Sequence, residues 1–304
     1  MMKTKILSII LCIAMLLSCL LLAACDSSTD GDDSKNDPSV NDGNTDPDGN
    51  DDEQDPPANP NENETVNPED KLKGKTVIWN GDSICKGATA TGTWADRIAA
   101  NNELKAWKNY GVGGGTIVEN APAMQGGNDR HSVSGTLEKM HEEFPDADYI
   151  ILEGGTNDAD LLGLISGEQY PPRFGSFDPD DFGGNYDRDT FCGALESLFY
   201  RAERLWPGKK ICFIIAQKMG TDLAKSNNRY AYFEVIMQIC EKWDIPYLNL
   251  WDDCELDPTN PEMYDPSKTA DENELTSLYR DGQHLTAAGY DLTAAIIDAW
   301  LKTL

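Results

Sequence analysis

The chain has 304 residues, with 53 acidic and 25 basic side chains and a formal net charge of −28 at pH 7. That length suits one large domain or two small ones. The basic residues form no cluster, so the charge pattern argues against nucleic-acid binding and disfavours polyanionic substrates.

Residues 1–24 have the features of a secretory signal. Lys3 and Lys5 precede an apolar run that ends in small residues. The segment Leu22 to Cys25 resembles the lipobox of bacterial lipoproteins, which implies a lipoprotein signal peptide at 1–24 and lipidation of Cys25. The protein is then expected to be exported and lipid-anchored to the outer face of the bacterial cell membrane. The alternative is an uncleaved N-terminal membrane helix.

Residues 25–70 are predicted to form a disordered acidic tether that begins at the lipidated Cys25. From Asp26 to Asp70 the chain holds 16 acidic residues and one basic residue, Lys35. Such a composition cannot bury enough apolar surface to offset the entropy lost on ordering. The acidic stretches lack the ligand spacing of an EF-hand loop, so no metal site is expected there.

Residues 71–304 are predicted to form a single folded domain. Short apolar runs typical of buried strands recur along it, and segments with helical periodicity lie between them. The alternation predicts βαβ units and a three-layer α/β/α sandwich with a central, mostly parallel sheet of about five strands. The strand segments are 76–79, a weaker one nearer an edge at 104–112, 149–152, 211–215 and 247–251; the helical segments are 93–102, 136–144, 188–206, 228–243 and a last one from about 286 past 300.

Polar, glycine-rich segments follow three of these strands or precede the last helix. In open parallel sheets, ligands bind beyond the carboxyl ends of the strands, so these segments are expected to build the functional site. They are Gly-Asp-Ser at 81–83, "NYGVGGGTI" at 109–117, "EGGTND" at 153–158 and "DGQHLTAAGY" at 281–290.

The four segments supply the groups that acyl transfer needs. Ser83 requires a base to become a nucleophile. Of the three histidines, His131 and His141 are expected on the solvated surface. His284 lies three residues after Asp281, a spacing that lets the carboxylate orient the imidazole towards the serine.

Fixed N–H donors for an oxyanion are also present in this set. The backbone of the three glycines at 113–115 can turn its N–H groups inward, because glycine tolerates the required dihedral angles. The side-chain amide of Asn157 can supply a further donor.

These segments together resemble the four sequence blocks of the SGNH (GDSL-type) hydrolases, in the order of that family and across residues 75–300. The matching residues are Gly81-Asp82-Ser83-Ile84, a glycine of "GVGGGT", Gly155-Thr156-Asn157-Asp158 and Asp281-x-x-His284. The resemblance implies a flavodoxin-like sandwich and a serine esterase that uses no cofactor and no metal. Ile84 in place of the usual leucine is a conservative departure.

The resemblance also implies the role of each site residue. Ser83 is then the nucleophile, His284 the base and Asp281 its partner. The oxyanion donors are the Ser83 N–H, a glycine N–H and the Asn157 side chain. Alignment on the flanking residues places the family glycine at Gly114, and its neighbours Gly113 and Gly115 remain alternatives.

Several neighbouring residues are interpreted as structural. Asp82 is expected to brace the turn before Ser83, and Thr156 and Asp158 to form hydrogen bonds within their loop. Cys85 is expected to be a buried thiol and not a second nucleophile. Five cysteines follow residue 70 without paired spacing, so the sequence does not require a disulfide.

The insert at 161–190 carries five aromatic residues among glycines, prolines and acids. A loop of this length inside a compact domain is commonly functional, so its aromatic side chains are candidates for substrate binding. The alternative is a segment that packs these side chains on its own domain. The five residues are Tyr170, Phe174, Phe177, Phe182 and Tyr186.

The function that the sequence favours is an exported, membrane-anchored esterase that removes short acyl groups, acetyl above all, from glycans. The expected partners are an acylated glycan and the membrane through Cys25, with no nucleic acid, and the protein is expected to be a monomer. The alternatives are a lysophospholipase or short-chain lipid esterase and, in a different class, a tethered carbohydrate-binding protein without turnover.

Overall fold

The computed structural model of the protein describes residues 71–87, 92–119, 131–164 and 174–304. The predicted signal peptide at 1–24, the lipidation site Cys25 and the tether at 25–70 lie outside these residues, as does Tyr170. Within the described ranges, no helix is long and apolar enough to cross a membrane.

Five parallel strands form one central sheet in the described part of the chain, in the order β2-β1-β3-β4-β5. Every residue of β1 and β3 is buried, because helices cover both faces of the sheet. The predicted three-layer sandwich is therefore confirmed, with the weak second strand at an edge. The strands are β1 (Thr76–Asn80), β2 (Ala106–Asn109), β3 (Tyr149–Glu153), β4 (Lys210–Ile215) and β5 (Tyr247–Asn249).

The helices fall into two groups, one on each face of the sheet. Helix α2 packs against α9, whereas α5 contacts both α3 and α6, and α6 also packs against α4. The helices of the described residues are α1 (Ser83–Lys86), α2 (Trp94–Asn102), α3 (Leu137–Glu143), α4 (Thr156–Leu164), α5 (Phe191–Leu205), α6 (Leu223–Lys242), α7 (Leu250–Asp253), α8 (Ala270–Thr276) and α9 (Ala287–Leu301), with a 3₁₀ turn at Ser134–Thr136.

The predicted fifth strand is shorter than expected. Its apolar run continues to Trp251, but β5 ends at Asn249. The Asn249 side chain accepts hydrogen bonds from the N–H groups of Trp251 and Asp252 and so caps the short helix α7. A local cap thus outweighs the strand propensity of the apolar residues that follow it.

Helix α6 begins earlier than the apolar pattern indicated. The predicted helix started at residue 228, whereas α6 starts at Leu223 with a polar first turn. Asp222 stabilises this turn, since its carboxylate accepts the N–H of Lys225 and its carbonyl accepts that of Ser226. Asn228 and Arg229, at the predicted start of the helix, both contact α4.

The described half of the insert, residues 174–190, forms an aromatic strap across α5 and α6. Phe174 packs edge-on against Tyr232, with ring centroids 4.7 Å apart. Lys242 holds the middle of the strap, because its ammonium donates to the carbonyl groups of Asp178 and Asp181 and pairs with the buried carboxylate of Glu196. The aromatic strap is therefore part of the packed domain.

Candidate active site

Ser83 is the first residue of α1, at the carboxyl end of β1. The preceding Asp82 caps this helix by accepting the N–H of Ile84 at 2.7 Å. Gly81 is required at the turn, because a Cβ there would lie 2.5 Å from Glu153 Oε2 and 2.6 Å from Cys85 Cβ. The strand therefore ends in a tight turn that presents the serine at the carboxyl edge of the sheet.

A continuous chain of hydrogen bonds joins Ser83, His284 and Asp281. His284 Nε2 lies 2.9 Å from Ser83 Oγ, and His284 Nδ1 lies 2.8 Å from Asp281 Oδ2. The other carboxylate oxygen of Asp281 accepts the backbone N–H of His284 at 2.7 Å. This geometry allows the imidazole to take the hydroxyl proton while the carboxylate fixes its orientation.

Asp281 is held in its ionised form. Burial acts to raise the pKa of its carboxyl group, but hydrogen bonds from the His284 side chain and backbone, with the imidazole charge, outweigh it and lower the pKa to about 2. The carboxylate is therefore ionised at neutral pH and in weakly acidic solution. Its negative charge stabilises an imidazolium at His284.

The loop that carries Asp281 and His284 is fixed to the segment following β4. The Gly220 N–H donates to the Gly282 carbonyl at 2.7 Å, and the Gln217 side chain donates to the Gln283 carbonyl at 3.1 Å. Gly282 adopts a φ of 78°, a left-handed conformation that glycine tolerates without strain. The position of the imidazole thus depends on contacts with a neighbouring strand end.

Arg229 links this loop to α4. Its guanidinium forms a bidentate ion pair with the Asp160 carboxylate, with N–O distances of 2.8 and 2.7 Å. It also donates a hydrogen bond to Gln283 Oε1 at 3.0 Å. The Arg229 side chain is 5% exposed and that of Asp160 23%, so the guanidinium end of the pair is shielded from solvent. Asp160 lies one turn after Asn157, and Gln283 immediately precedes His284, so Arg229 couples the positions of these two site residues.

The Asn157 amide lies between the turn before Ser83 and the glycine loop. Its Nδ2 is 3.1 Å from Asp82 Oδ2 and 2.9 Å from the Gly115 carbonyl oxygen. Both N–H groups of the amide therefore have acceptors, and these two contacts set its orientation. An oxyanion that forms beside Ser83 would compete with the Gly115 carbonyl, the weaker acceptor because it is uncharged.

The structure reduces the number of glycines at 113–115 whose backbone N–H could donate to the oxyanion. The Gly115 N–H already donates to the Val112 carbonyl at 3.0 Å, which closes a turn and removes this N–H from the candidate donors. Gly114 adopts a φ of 77°. A Cβ on Gly113 would lie 4.0 Å from Ser83 Cβ, so the loop passes directly beside the serine. Gly113 and Gly114 remain the candidates for the backbone donor.

The two other histidines are not solvated surface residues, so that prediction was wrong. His131 is half-buried, and its Nε2 lies 3.4 Å from Asn80 Oδ1. Burial, together with the charge of Lys139, lowers the pKa of its imidazole. His141 packs edge-on against Trp206, 5.3 Å between ring centroids. Both rings are partly buried against neighbouring side chains, a role that periodicity does not reveal.

Asp158 forms hydrogen bonds as expected, whereas the prediction for Thr156 was wrong, because its Oγ1 is buried without a hydrogen-bond partner among the described residues. The buried Asp158 carboxylate accepts the N–H groups of Ile117 at 2.9 Å and Val118 at 3.0 Å. Burial nevertheless raises its pKa to about 6. Cys85 is a buried free thiol, and the cysteines of the described ranges form no disulfide.

The aromatic strap places its side chains on its own domain. Phe182 and Tyr186 both pack against Trp243, with centroids 5.1 and 6.2 Å from it. Trp243 follows the end of α6, which returns to the amino edge of the sheet, whereas Ser83 lies at the carboxyl edge. A substrate contact by Phe182 or Tyr186 is therefore at odds with the structure.

The other three aromatic residues of that prediction have different positions. Phe174 packs between Phe191 and Tyr232, and Phe177 is a half-buried neighbour of the core. Tyr170 belongs to the part of the chain that the structure does not describe.

Among the described residues, no group of three His, Cys, Asp or Glu side chains could hold a metal ion.

Arg229 and Glu153 are the site neighbours that sequence reasoning did not single out. Arg229 lies in the polar first turn of the predicted helix 228–243, where the apolar pattern gives no sign of its ion pair. Glu153 is the last residue of an apolar strand. A carboxyl group at that position was the one signal in the sequence that Glu153 lies next to a polar site.

Comparisons with known proteins agree with this arrangement. A scan against protein-family models matches residues 80–292 to the GDSL-like lipase/acylhydrolase family. A search of curated proteins found no match for the chain.

Solved structures share the fold. A Lactobacillus plantarum protein is 24% identical with a TM-score of 0.55, and the match covers 76% of this chain and 98% of that one. An aryl esterase of M. smegmatis is 11% identical with a TM-score of 0.50, covering 76% and 99%. A carbohydrate acetylesterase family member from Sinorhizobium meliloti is 16% identical with a TM-score of 0.50, covering 75% and 98%.

The hydrogen bond between His284 and Ser83 predicts a reactive serine hydroxyl. In His284→Ala, the rate at which a serine-directed phosphonate labels Ser83 should fall by about 10²–10⁴-fold, the usual contribution of a general base. Mass spectrometry of the labelled peptide measures this rate. His141→Ala is the matched control, because its ring packs on Trp206, and it should label as the wild type does. Equal labelling of both variants would show that His284 does not activate the serine.

Proposed function

This chain belongs to the GDSL-like lipase/acylhydrolase family, and we propose that it is a serine esterase that removes short acyl groups, acetyl above all, from glycans. It is a carboxylic ester hydrolase. The observation that carries the proposed mechanism is the unbroken hydrogen-bond chain from Asp281 through His284 to Ser83.

The proposed reaction begins at Ser83. As its Oγ attacks the ester carbonyl carbon, His284 Nε2 takes the hydroxyl proton, and Asp281 stabilises the resulting imidazolium. The tetrahedral intermediate collapses when His284 returns the proton to the departing alcohol oxygen, which leaves an acyl group on Ser83. Water then attacks this acyl-enzyme while His284 takes its proton; the bond from the acyl carbon to Ser83 Oγ breaks, His284 returns the proton to Oγ, and the carboxylic acid departs.

The oxyanion of the tetrahedral intermediate needs donors that are already in place. The Ser83 N–H, the N–H of Gly113 or Gly114 and the Asn157 amide are the groups that the geometry offers. Asp82 holds the Asn157 amide in the resting site, so the amide need only exchange its contact with the Gly115 carbonyl for the oxyanion when the negative charge develops.

Two observations support a glycan ester over a membrane lipid. The chain shares its fold with a Sinorhizobium meliloti protein described as a carbohydrate acetylesterase family member. The acidic domain has no basic cluster that could hold it against anionic lipid headgroups. Export and attachment through Cys25, predicted from residues 1–25, are part of the proposal, because they would place the enzyme where extracellular glycans occur.

A substrate panel tests the proposal. The wild type should hydrolyse acetylated glycans and an activated acetyl ester, and kcat/KM should decrease as the acyl chain of activated esters lengthens. Ser83→Ala should abolish turnover, since it removes the nucleophile. Faster hydrolysis of lysophospholipids than of acetylated glycans would favour the lipid esterase instead. No turnover of any ester by the wild type would identify a binding protein.

Asn157→Ala separates transition-state stabilisation from substrate binding. Loss of this donor should lower kcat by about 10²–10³-fold and change KM little, because an oxyanion donor acts mainly on the transition state. Steady-state kinetics with the activated acetyl ester measures both constants. A large increase in KM with kcat unchanged would instead make Asn157 a substrate-binding residue.

A further inference from the structure

Two fully buried carboxyl groups lie together beneath Ser83. Asp82 immediately precedes the serine, and Glu153 is the last residue of the neighbouring strand β3; their exposed fractions are 0% and 1%. The Asp82 N–H donates to Glu153 Oε2 at 3.0 Å. Gly81 leaves room for this contact, since a Cβ there would lie 2.5 Å from the same oxygen.

The Asp82 carboxylate holds two parts of the site in place. Its Oδ1 accepts the Ile84 N–H at 2.7 Å, which fixes the first turn of the helix that begins with Ser83. Its Oδ2 accepts Asn157 Nδ2 at 3.1 Å, which orients the amide. A carboxylate that accepts two N–H groups is stabilised in its ionised form.

Glu153 is only partly supported: backbone N–H groups of Asp82 and Cys85 donate to its carboxyl group, but one of its oxygens is left over. Its Oε1 is buried without a hydrogen-bond partner among the described residues. Two adjacent carboxylates in a dry interior repel each other strongly, so one of them must carry a proton. A proton on Glu153 relieves this repulsion and turns its carboxyl group into a donor towards the Asp82 side chain.

Among the described residues, no positively charged group contributes appreciably to the pKa of Glu153. The groups that interact electrostatically with the two carboxyls include one base, His284, which acts on Asp82, and otherwise only acids and neutral groups. The acids are Asp158 and Asp160 on α4, and the neutral groups are Cys85 on α1 and Tyr290 on α9.

We propose that Glu153 is a positioning residue of the active site, a neutral carboxylic acid that donates a hydrogen bond to the Asp82 carboxylate. By this bond it fixes Asp82 against the Ile84 N–H and the Asn157 amide. Glu153 does not touch substrate; it acts through Asp82 on the two groups that flank the reacting carbonyl. The effect on turnover rests on the proposed function, whereas the location of the proton does not.

The electrostatics of the pair agree with this assignment. Burial, and then the charge of Asp82, raise the pKa of Glu153 well above its usual range, and backbone N–H groups offset this only in part. Burial also raises the pKa of Asp82, to about 6, but hydrogen bonds from the Ile84 N–H and the Glu153 side chain limit the rise. Of the two carboxyl groups, Glu153 is therefore the one that retains the shared proton.

The raised pKa has a consequence for stability. A group that holds its proton more tightly in the folded state stabilises the fold below its unfolded pKa, about 4.3 for glutamate. This stabilisation is lost as the pH rises from that value through the folded pKa. Glu153→Gln cannot ionise, so its free energy of unfolding should decrease less than that of the wild type over this range.

Two substitutions separate the hydrogen bond from the volume of the side chain. Glu153→Gln keeps a neutral donor of similar shape, and its kcat should remain within about threefold of the wild type. Glu153→Met keeps the length but removes the donor, and its kcat should fall at least about tenfold with little change in KM, because Asp82 loses a buried partner. Glu203→Gln, on the surface of α5, is the matched control and should leave kcat unchanged.

Infrared spectroscopy locates the proton without reference to turnover. At about pH 8, Asp82 and Asp158 are ionised, and the wild type and Glu203→Gln should show the carbonyl stretch of a buried protonated carboxylic acid. The band should be missing from Glu153→Gln. If the wild type lacks it, or Glu153→Gln retains it, the proton is elsewhere and the proposal is wrong.

Equal kcat values for the Gln and Met variants, or an inactive Glu153→Gln, would also overturn the positioning role. Should Glu153→Met fail to fold, the infrared band and the kcat of Glu153→Gln still decide. A protein that shows the band but hydrolyses no ester would contradict the proposed function and leave the location of the proton intact.

Discussion

The contact between His284 Nε2 and Ser83 Oγ, 2.9 Å long, joins residues that are 201 positions apart in the chain. The parallel sheet makes this contact possible, because it brings the carboxyl ends of all its strands to one edge. The ends of β1, β2, β3 and β4 each lead into a polar segment at that edge, and direct hydrogen bonds connect these segments to one another and to the loop of His284. The catalytic geometry is therefore a property of the whole sheet edge.

The loops are connected by a few buried polar side chains. Arg229 ties α4 to the loop of His284 through Asp160 and Gln283. Asp82 ties the turn of Ser83 to Asn157. A buried charge is costly unless it is paired. Loss of its partner would therefore leave an unpaired charge in the interior and destabilise the site. The same contacts that satisfy these charges fix the distances on which proton transfer depends.

Much of this architecture could be predicted from the sequence. The apolar runs gave the strands, because strands covered on both faces are apolar throughout, and the glycine-rich segments after them marked the edge that bears Ser83, Asn157 and His284. The limits of β5 and α6 could not be predicted in the same way. Asn249 and Asp222 set these limits through side-chain caps, which hydrophobic periodicity does not register.

Residues that act through another residue were also beyond sequence reasoning. The pairing of Arg229 with Asp160 and the burial of Glu153 beside Asp82 depend on packing between distant elements. For the aromatic strap, composition indicated only that the aromatic side chains of 174–190 would pack on an apolar surface of the domain. The position of Lys242 and Trp243 at the amino edge determined that this surface lies away from the serine.

The structure of the enzyme after reaction with a serine-directed phosphonate tests the central claim most directly, since the phosphonyl group imitates the tetrahedral intermediate. The account predicts a covalent bond from phosphorus to Ser83 Oγ, with the phosphonyl oxygen within about 3.2 Å of the Ser83 N–H and Asn157 Nδ2. It also predicts that the N–H of Gly113 or Gly114 reaches the same oxygen. Attachment to another residue, or a phosphonyl oxygen directed into solvent away from these donors, would contradict it.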